Sequence, residues 1–145
     1  MQIRLHDLPP NFLPICLAVC IALWLIGSLL FSFLSGWHAL AGRFRMEQEP
    51  DEDALVAGPL FRKVTMRSWG IYYWVIRMRS AKDALYLSMA FPFRIGHPPL
   101  RIPWDEIRLS ERTTLLGWRM ILTLGLEEQV PMRISARVAS KLGLV

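Results

Sequence analysis

The feature that most constrains this chain is an uncharged, apolar stretch near its N-terminus. Residues 8–42 contain no Asp, Glu, Lys or Arg, and 14 of the 23 residues between positions 12 and 34 are Leu, Ile, Phe or Val. A helix of that length would extend about 34 Å, enough to cross a hydrocarbon core of roughly 30 Å. Inserting the large apolar side chains would be favourable by about 4–8 kcal/mol. We therefore predict a transmembrane helix over residues 12–35, after a short tail over residues 1–11.

A cleaved signal peptide is the alternative interpretation of this stretch. Ala39-Leu40-Ala41 has the small-x-small form of a cleavage site. Secretory signals, however, usually have an apolar region of about 7–15 residues after a basic start. Here the apolar region is longer, and Arg4 is offset by Asp7. We therefore expect the helix to be retained.

The basic residues that flank the helix predict its orientation, because Lys and Arg are enriched on the cytoplasmic side of a membrane. Arg4 precedes the helix, whereas Arg43 and Arg45 follow it closely and Arg62 and Lys63 come later. This bias predicts that the N-terminus lies outside and the C-terminal domain in the cytoplasm.

Small residues recur on one face of the predicted helix. Ser28, Ser32 and Gly36 are four residues apart, and small residues at this spacing allow another helix to approach closely. The pattern predicts a helix-packing face. Chance is the alternative, since small residues are common in membrane helices.

The segment that follows the helix, residues 36–46, has an amphipathic pattern. If it is helical, Trp37, Leu40 and Phe44 fall on one side, and Arg43 and Arg45 on the other. This predicts an interfacial segment with Trp at headgroup depth and Arg facing phosphates. The alternative is a helix end that frays into water. The predicted membrane-interface residues are Trp37, Leu40, Arg43, Phe44 and Arg45.

An acidic stretch separates this segment from the rest of the chain. Five of the seven residues from Glu47 to Asp53 are acidic, and Pro50 lies among them. A run of like charges with proline resists packing, so we predict a solvated linker over residues 47–57.

Beyond the linker, apolar and polar residues alternate with a period near two, which is typical of strands with one buried face. An earlier strand is expected near residues 61–67, and Ser135 and Gly143 predict the start and end of a short terminal helix with Val138 and Leu142 inside. We predict a small, mainly antiparallel β sandwich or barrel over residues 58–145. The inward sets are Trp74, Ile76 and Met78; Leu85, Leu87, Met89, Phe91 and Phe93; Leu100, Ile102 and Trp104; Met120, Leu122 and Leu124; and Val130, Met132 and Ile134.

Six or seven strands followed by a helix resemble the pleckstrin-homology-like (PH-like) fold. Ile102-Pro103-Trp104-Asp105-Glu106-Ile107 resembles the strand-to-turn element of bacterial PH-like and GRAM-like modules. Classical PH domains have a longer terminal helix with a Trp, and their basic inositol-phosphate pattern is not clearly matched by Arg62, Lys63 and Arg67.

A second resemblance covers almost the whole chain. With the N-terminal helix, its segments are Gly36-Trp37-His38-Ala39-Leu40-Ala41, Leu85-Tyr86-Leu87-Ser88 and His97-Pro98-Pro99-Leu100-Arg101-Ile102-Pro103-Trp104. Together they resemble a group of small, uncharacterised bacterial single-pass membrane proteins. The resemblance implies this architecture and the bacterial inner (plasma) membrane as its location. It implies no activity.

Motifs of enzymes and metal sites are not visible in the sequence. There is no Gly-rich phosphate loop, Gly-x-Ser-x-Gly elbow or His-Glu-x-x-His motif. Cys16 and Cys20 lie within the predicted helix, and His97 reads as a lone turn residue. The acidic pairs Asp105/Glu106 and Glu127/Glu128 fall in predicted turns. We expect no catalytic residues, no metal and no cofactor, and hence no enzyme.

The charge of the C-terminal part points to anionic partners. Residues 54–145 carry 14 Lys and Arg against 6 Asp and Glu, a formal charge of +8. Near an anionic leaflet each basic residue contributes about 1 kcal/mol. The candidate contacts for anionic lipid or a partner are Arg62, Lys63, Arg67, Arg77, Arg79 and Arg94. A solvated basic surface is the alternative, and no nucleic-acid recognition motif is visible.

Three functions follow as hypotheses. The first is a non-catalytic protein, anchored in the bilayer, whose cytosolic β domain docks partner proteins as a small subunit or accessory factor of a membrane complex. The second is anionic-lipid sensing by the basic face. The third, a membrane-tethered enzyme, would need a pocket with converging polar groups.

Overall fold

The computed structural model describes residues 9–47, 56–57, 63–67, 70–73, 75–114 and 117–144. Three helices, nine strands and one turn of 3-10 helix follow one another along these residues. The elements are α1 (Phe12–Ser35), α2 (Trp37–Phe44), β1 (Val56–Ala57), β2 (Val64–Met66), β3 (Gly70–Tyr72), β4 (Ile76–Ser80), β5 (Ala84–Met89), β6 (Leu100–Pro103), the 3-10 turn (Trp104–Glu106), β7 (Ile107–Thr114), β8 (Gly117–Leu124), β9 (Val130–Ser135) and α3 (Ala136–Lys141).

Helix α1 is long and apolar enough to cross a membrane, and no residue of its most apolar stretch is buried within the protein. It ends at Gly36, which has a φ of +89°. A side chain there would be strained, and its Cβ would lie 2.9 Å from Val130 Cγ2. Arg67 Nη1 donates a hydrogen bond to the free carbonyl of Leu34 at 3.1 Å. These contacts fix the corner between α1 and α2.

The strands form two antiparallel sheets. One sheet has the order β1-β4-β5-β6, and the other has the order β3-β2-β9-β8-β7. Because β3 and β4 follow each other along the chain and belong to different sheets, this part of the chain crosses from one sheet to the other. The predicted class, an N-terminal apolar helix followed by a mainly antiparallel β domain, is confirmed.

The register of the hairpins explains why the alternating pattern predicts the core. In β8 and β9, Leu122 lies opposite Met132, and in β4 and β5, Met78 lies opposite Leu87. All four side chains are buried. Since side chains alternate between the two faces of a strand, every second residue of these strands reaches the same core.

The terminal helix forms as the sequence predicts. Val138 and Leu142 are buried, and Gly143 ends the helix with a φ of +71°. Ser80 Oγ donates a hydrogen bond to the carbonyl of Leu142 at 3.0 Å. This bond connects the end of α3 to β4, so the helix covers one end of the core.

The predicted strand containing Phe91 and Phe93 is shorter than expected. β5 ends at Met89, and Phe91 is 87% exposed and Phe93 42% exposed. Pro92 lacks the N–H that a continuing ladder needs. Trp104 likewise leaves the predicted strand set and begins the 3-10 turn. Trp74 lies outside the described residues.

Helix α2 belongs to the core of the β domain rather than to the membrane interface. Trp37 and Leu40 are 0% exposed, Phe44 is buried, and all three pack in one cluster with the strands. The prediction that they face headgroups is therefore wrong. The amphipathic pattern identifies an apolar side, but it does not reveal that the β domain covers this side. The boundary predicted at residue 58 also leaves these three side chains out of the domain.

Backbone contacts attach the end of α2 to the first sheet. Arg45 forms an isolated antiparallel bridge with Leu100, and the Met46 N–H donates to the Pro99 carbonyl at 2.9 Å. The chain therefore enters the β domain before the acidic linker begins.

Candidate membrane-facing site

The C-terminal half of α1 lies directly against a loop of the β domain. Ser28 Oγ donates a hydrogen bond to the Ile95 carbonyl at 2.8 Å, and Ser32 Oγ donates one to the Gly96 carbonyl. Gly96 has a φ of +79°, and a Cβ there would lie 3.4 Å from Leu29 Cα. The small residues therefore allow the chain's own loop to approach, which corrects the expectation that they receive another helix.

Aromatic contacts extend this junction along the helix. The ring centroids of Trp24 and Phe93 are 6.3 Å apart, and those of Phe31 and Tyr72 are 4.9 Å apart. The distance from Trp24 to Ser35 along the helix is about 16 Å at 1.5 Å per residue. The β domain thus contacts almost half of α1.

The contacting loop is unusually apolar for an exposed segment. We call residues 91–96, Phe-Pro-Phe-Arg-Ile-Gly, the apolar loop. Phe91, Phe93 and Ile95 are all exposed, as are Ile71 and Tyr73 of the adjacent β domain. Phe93, Ile71 and Tyr73 line one groove together with residues of α1, so these exposed apolar side chains lie beside the helix.

A buried polar cluster lies where α1 ends. The Tyr72 hydroxyl donates to Ser35 Oγ at 2.6 Å and lies 3.2 Å from His97 Nε2. Ser35 Oγ in turn donates to the Ser32 carbonyl at 3.3 Å. Tyr72 is 3% and His97 2% exposed. The hydroxyl of Tyr72 therefore links the helix to the loop that carries His97.

Burial keeps this cluster uncharged. It raises the pKa of Tyr72 to about 12, against a smaller lowering by the hydrogen bond with Ser35. Burial also lowers the pKa of His97, although contacts with the Ile95 and Phe93 carbonyls oppose the effect. Both side chains are neutral at neutral pH. The sequence predicted only a turn residue at His97, and no local signal indicated its partners.

An apolar groove lies between α1 and the β domain, next to this cluster. Its volume is about 430 Å³. Tyr72, His97 and Ser28 are among the residues of its lining that carry polar groups. The apolar groove is otherwise lined by Trp24, Gly27 and Phe31 of α1 and by Ile71, Tyr73, Val75, Met89 and Phe93 of the β domain.

A second cavity, which we call the basic cleft, lies on another side of α1. Its volume is about 590 Å³, and Arg45, Arg94 and His38 line it together with Leu29 and Ser32 of α1. None of the described residues that line it is acidic. Arg45 and Arg94 are both exposed. Two arginine residues therefore border one cleft beside the apolar helix.

Arg43 and Arg67, which the sequence also predicts as contact residues, bind other parts of the protein. Arg43 Nη2 pairs with Glu106 Oε1 at 2.7 Å, and its Nη1 lies 3.8 Å from Glu127 and Glu128. Arg67 holds the end of α1. Among the predicted interface residues with described side chains, Arg45 is the one that borders the basic cleft. Glu106 is thus an ion-pair partner rather than a simple solvated charge.

The remaining predicted basic residues lie on different surfaces. Arg77 and Arg79 are on the outer face of β4, where they pair in register with Ser88 and Tyr86. Lys63 lies 5.4 Å from the centre of the Tyr73 ring, and Arg62 lies outside the described residues. The structure therefore does not gather the six predicted residues into one patch. The sequence did not predict that Arg94 and Arg45 line the same cleft, because 49 positions separate them.

Within the described residues, no three His, Cys, Asp or Glu side chains are arranged to hold a metal ion. Cys16 and Cys20 are exposed on α1. Comparisons with protein-family models, with curated proteins and with solved structures found no match to this chain.

Proposed function

We propose that this protein is a non-catalytic membrane protein whose β domain rests on the inner face of a bacterial plasma membrane and binds the headgroups of anionic lipids. The observation that carries the proposal is the basic cleft, in which Arg45 and Arg94 lie beside the apolar helix. The second sequence hypothesis, lipid sensing, is thus favoured over the first, although with a different set of arginines.

The contacts along α1 support a domain that lies in the surface of the bilayer. α1 has 24 residues, and about 20 are needed to cross a hydrocarbon core of roughly 30 Å. At most about four can lie outside it. Trp24 and its neighbour Phe93 would then lie about 10–16 Å below the surface. The exposed side chains of the apolar loop suit such surroundings.

The basic cleft would lie at headgroup level in this arrangement. Its helix wall, Leu29 and Ser32, comes within one to two turns of the end of α1. Arginine extends from apolar surroundings towards phosphates and binds them with paired N–H groups. Because helix and domain are one chain, the effective concentration of lipid at the cleft is always high.

The order of the elements supports a PH-like fold for the β domain. If β1 with β2, and β3 with β4, are counted as two bent strands, seven strands precede the terminal helix.

Hydrogen exchange of the full chain in lipid nanodiscs tests the lipid contact. We expect peptides from residues 38–46 and 94–99 to exchange more slowly with phosphatidylglycerol than with phosphatidylcholine, and high salt to remove the difference. Replacing both arginines, Arg45→Gln and Arg94→Gln, should weaken the preference by about 2 kcal/mol, roughly 30-fold in affinity.

The matched control changes two exposed arginines on other surfaces, Arg108→Gln and Arg137→Gln. This double variant should retain the full preference for phosphatidylglycerol. An equal loss in both double variants, or equal exchange in the two lipids, would contradict the proposal.

Docking of a partner protein is a second proposal, supported by the edge of the second sheet. β7 is an end strand of eight residues, and Leu109 on it is exposed. Such an edge can receive a strand from another protein. A partner retained through mild-detergent purification should be lost with Leu109→Lys and kept with Leu126→Lys, which changes an exposed turn residue. A chain that always emerges alone would count against this proposal.

A further inference from the structure

We propose that the apolar groove between α1 and the β domain binds one acyl chain of a membrane glycerophospholipid. This inference rests on the proposed function in one respect, namely that the apolar loop and the C-terminal half of α1 lie at hydrocarbon depth.

The position of the apolar groove determines what can enter it. One wall consists of Trp24, Gly27 and Phe31, which belong to the membrane-crossing helix. On the facing side, Ile71 and Phe93 are exposed. Lipid chains surround this part of the helix when it spans the bilayer. An acyl chain therefore reaches the groove without leaving the hydrocarbon.

The size and direction of the apolar groove fit a single chain. Its volume of about 430 Å³ falls in the range of about 300–1,000 Å³ that is usual for small-molecule sites. The polar end, at Tyr72 and His97, lies near Ser35 where α1 ends. The apolar end reaches Trp24, and the α1 residues of the lining, from Trp24 to Phe31, extend about 10 Å along the helix. A bound chain would therefore run in the same direction as the tails of the leaflet.

The charge of the lining selects an esterified chain over a free fatty acid. The described lining residues include no Lys, Arg, Asp or Glu. Burial lowers the pKa of His97, so this side chain supplies no cation at neutral pH. A carboxylate at the polar end would be desolvated without a partner, which is costly. The chain of a phospholipid avoids this cost because its charged headgroup stays outside.

Gly27 offers a way to fill the apolar groove without disturbing the fold. A Cβ added at Gly27 meets no atom within 4 Å, so Gly27→Phe can place its ring in the empty space. Ala22→Phe is the matched control, because Ala22 is exposed on the same helix and does not line the groove. Thermal unfolding of both variants establishes that the fold is intact.

Native mass spectrometry of the full chain released from phosphatidylcholine nanodiscs tests the proposal. We expect wild type and Ala22→Phe to retain one phosphatidylcholine, and Gly27→Phe to lose at least about 90% of this adduct, a change of 10-fold or more in occupancy. Equal retention by all three proteins, or no adduct on any of them, would overturn the proposal. A dimer without lipid would assign the groove to a second copy of the chain and would overturn it as well.

A second measurement keeps the test decisive if Gly27→Phe does not fold. Phosphatidylcholine with a diazirine in the middle of one acyl chain should cross-link the wild-type protein mainly at residues 24–31, 71–73 and 75. Cross-links spread evenly around α1 would overturn the proposal. Both measurements use a neutral lipid, so their failure is distinguishable from failure of the anionic-lipid contact at Arg45 and Arg94.

Discussion

At the scale of single residues, the Tyr72 hydroxyl connects α1 to the β domain. It contacts Ser35 of α1 and His97 of the loop, and all three side chains are buried. If one partner of a buried hydrogen bond is removed, the other partner stays buried without a hydrogen bond, which lowers the stability of the fold. The Tyr72 hydroxyl is therefore one of the groups that hold the end of α1 against the β domain.

Tyr72→Phe tests this dependence. We expect the free energy of unfolding to fall by about 1–3 kcal/mol, because Ser35 and His97 each lose a buried partner. Chemical unfolding of the full chain in detergent measures the change. Tyr73→Phe, at an exposed neighbour, should change the stability by less than about 0.5 kcal/mol. Equal effects of the two substitutions would contradict the role of the hydroxyl.

The buried His97 should make stability depend on pH. Burial lowers its pKa in the folded protein, so the unfolded chain takes up the proton first, near the ordinary value of about 6.5. Stability should therefore decrease as the pH falls from about 7 towards 5, by at most about 1.4 kcal/mol per pH unit. Thermal unfolding midpoints at several pH values measure this slope.

His97→Gln should remove this part of the slope, because glutamine does not titrate. A slope that is unchanged in His97→Gln would show that other groups cause it.

At the scale of elements, the apolar loop is attached to the side of α1. Hydrogen bonds from the side chains of Ser28 and Ser32 join α1 to the backbone of the loop, and Phe93 packs beside Trp24. Phe91 at its tip is almost fully exposed. If α1 crosses the bilayer, the loop enters the hydrocarbon beside it.

Cysteine labelling tests this immersion. In a background with Cys16→Ala and Cys20→Ala, we expect Phe91→Cys in nanodiscs to react with a water-soluble maleimide at least about 10-fold more slowly than Glu127→Cys, because hydrocarbon excludes the reagent. Glu127 is highly exposed, and nanodiscs leave both membrane faces accessible. After denaturation in SDS the two rates should be equal. Similar rates in intact nanodiscs would contradict immersion.

The sequence predicts the elements better than it predicts their contacts. The alternation in β8 and β9 identifies their buried residues, since strand geometry alone decides which side chains share a face. The partners of Ser28 and Trp37 could not be predicted in this way. Ser28 bonds to a carbonyl 67 positions away, and Trp37 Nε1 donates to Pro98, 61 positions away. Local pattern indicates which side of a helix is apolar, but not which surface covers it.

At the scale of the whole molecule, α2 and the strands share one core. Trp37, Leu40 and Phe44 of α2 pack among strands of both sheets. Burying three large apolar side chains contributes about 5–9 kcal/mol. This is a large part of the 5–15 kcal/mol by which a typical domain is stable.

A fragment that begins directly after the acidic residues of the linker, at residue 54, should therefore fail to fold. We expect residues 54–145 to give poorly dispersed amide resonances and no cooperative thermal transition, because the core lacks α2. A fragment of residues 36–145 restores the three side chains and should show a cooperative transition. A folded shorter fragment would mean that α2 contributes little to the core.

The shared core also changes what the acidic segment connects. Residues 36–47 are attached to the first sheet through Arg45 and Met46, so the chain has already joined the domain before that segment starts. The segment therefore connects two parts of the same domain, rather than two separate domains. We expect that lengthening this segment with inert residues leaves the distance between the β domain and the bilayer unchanged, because the segment does not determine that distance.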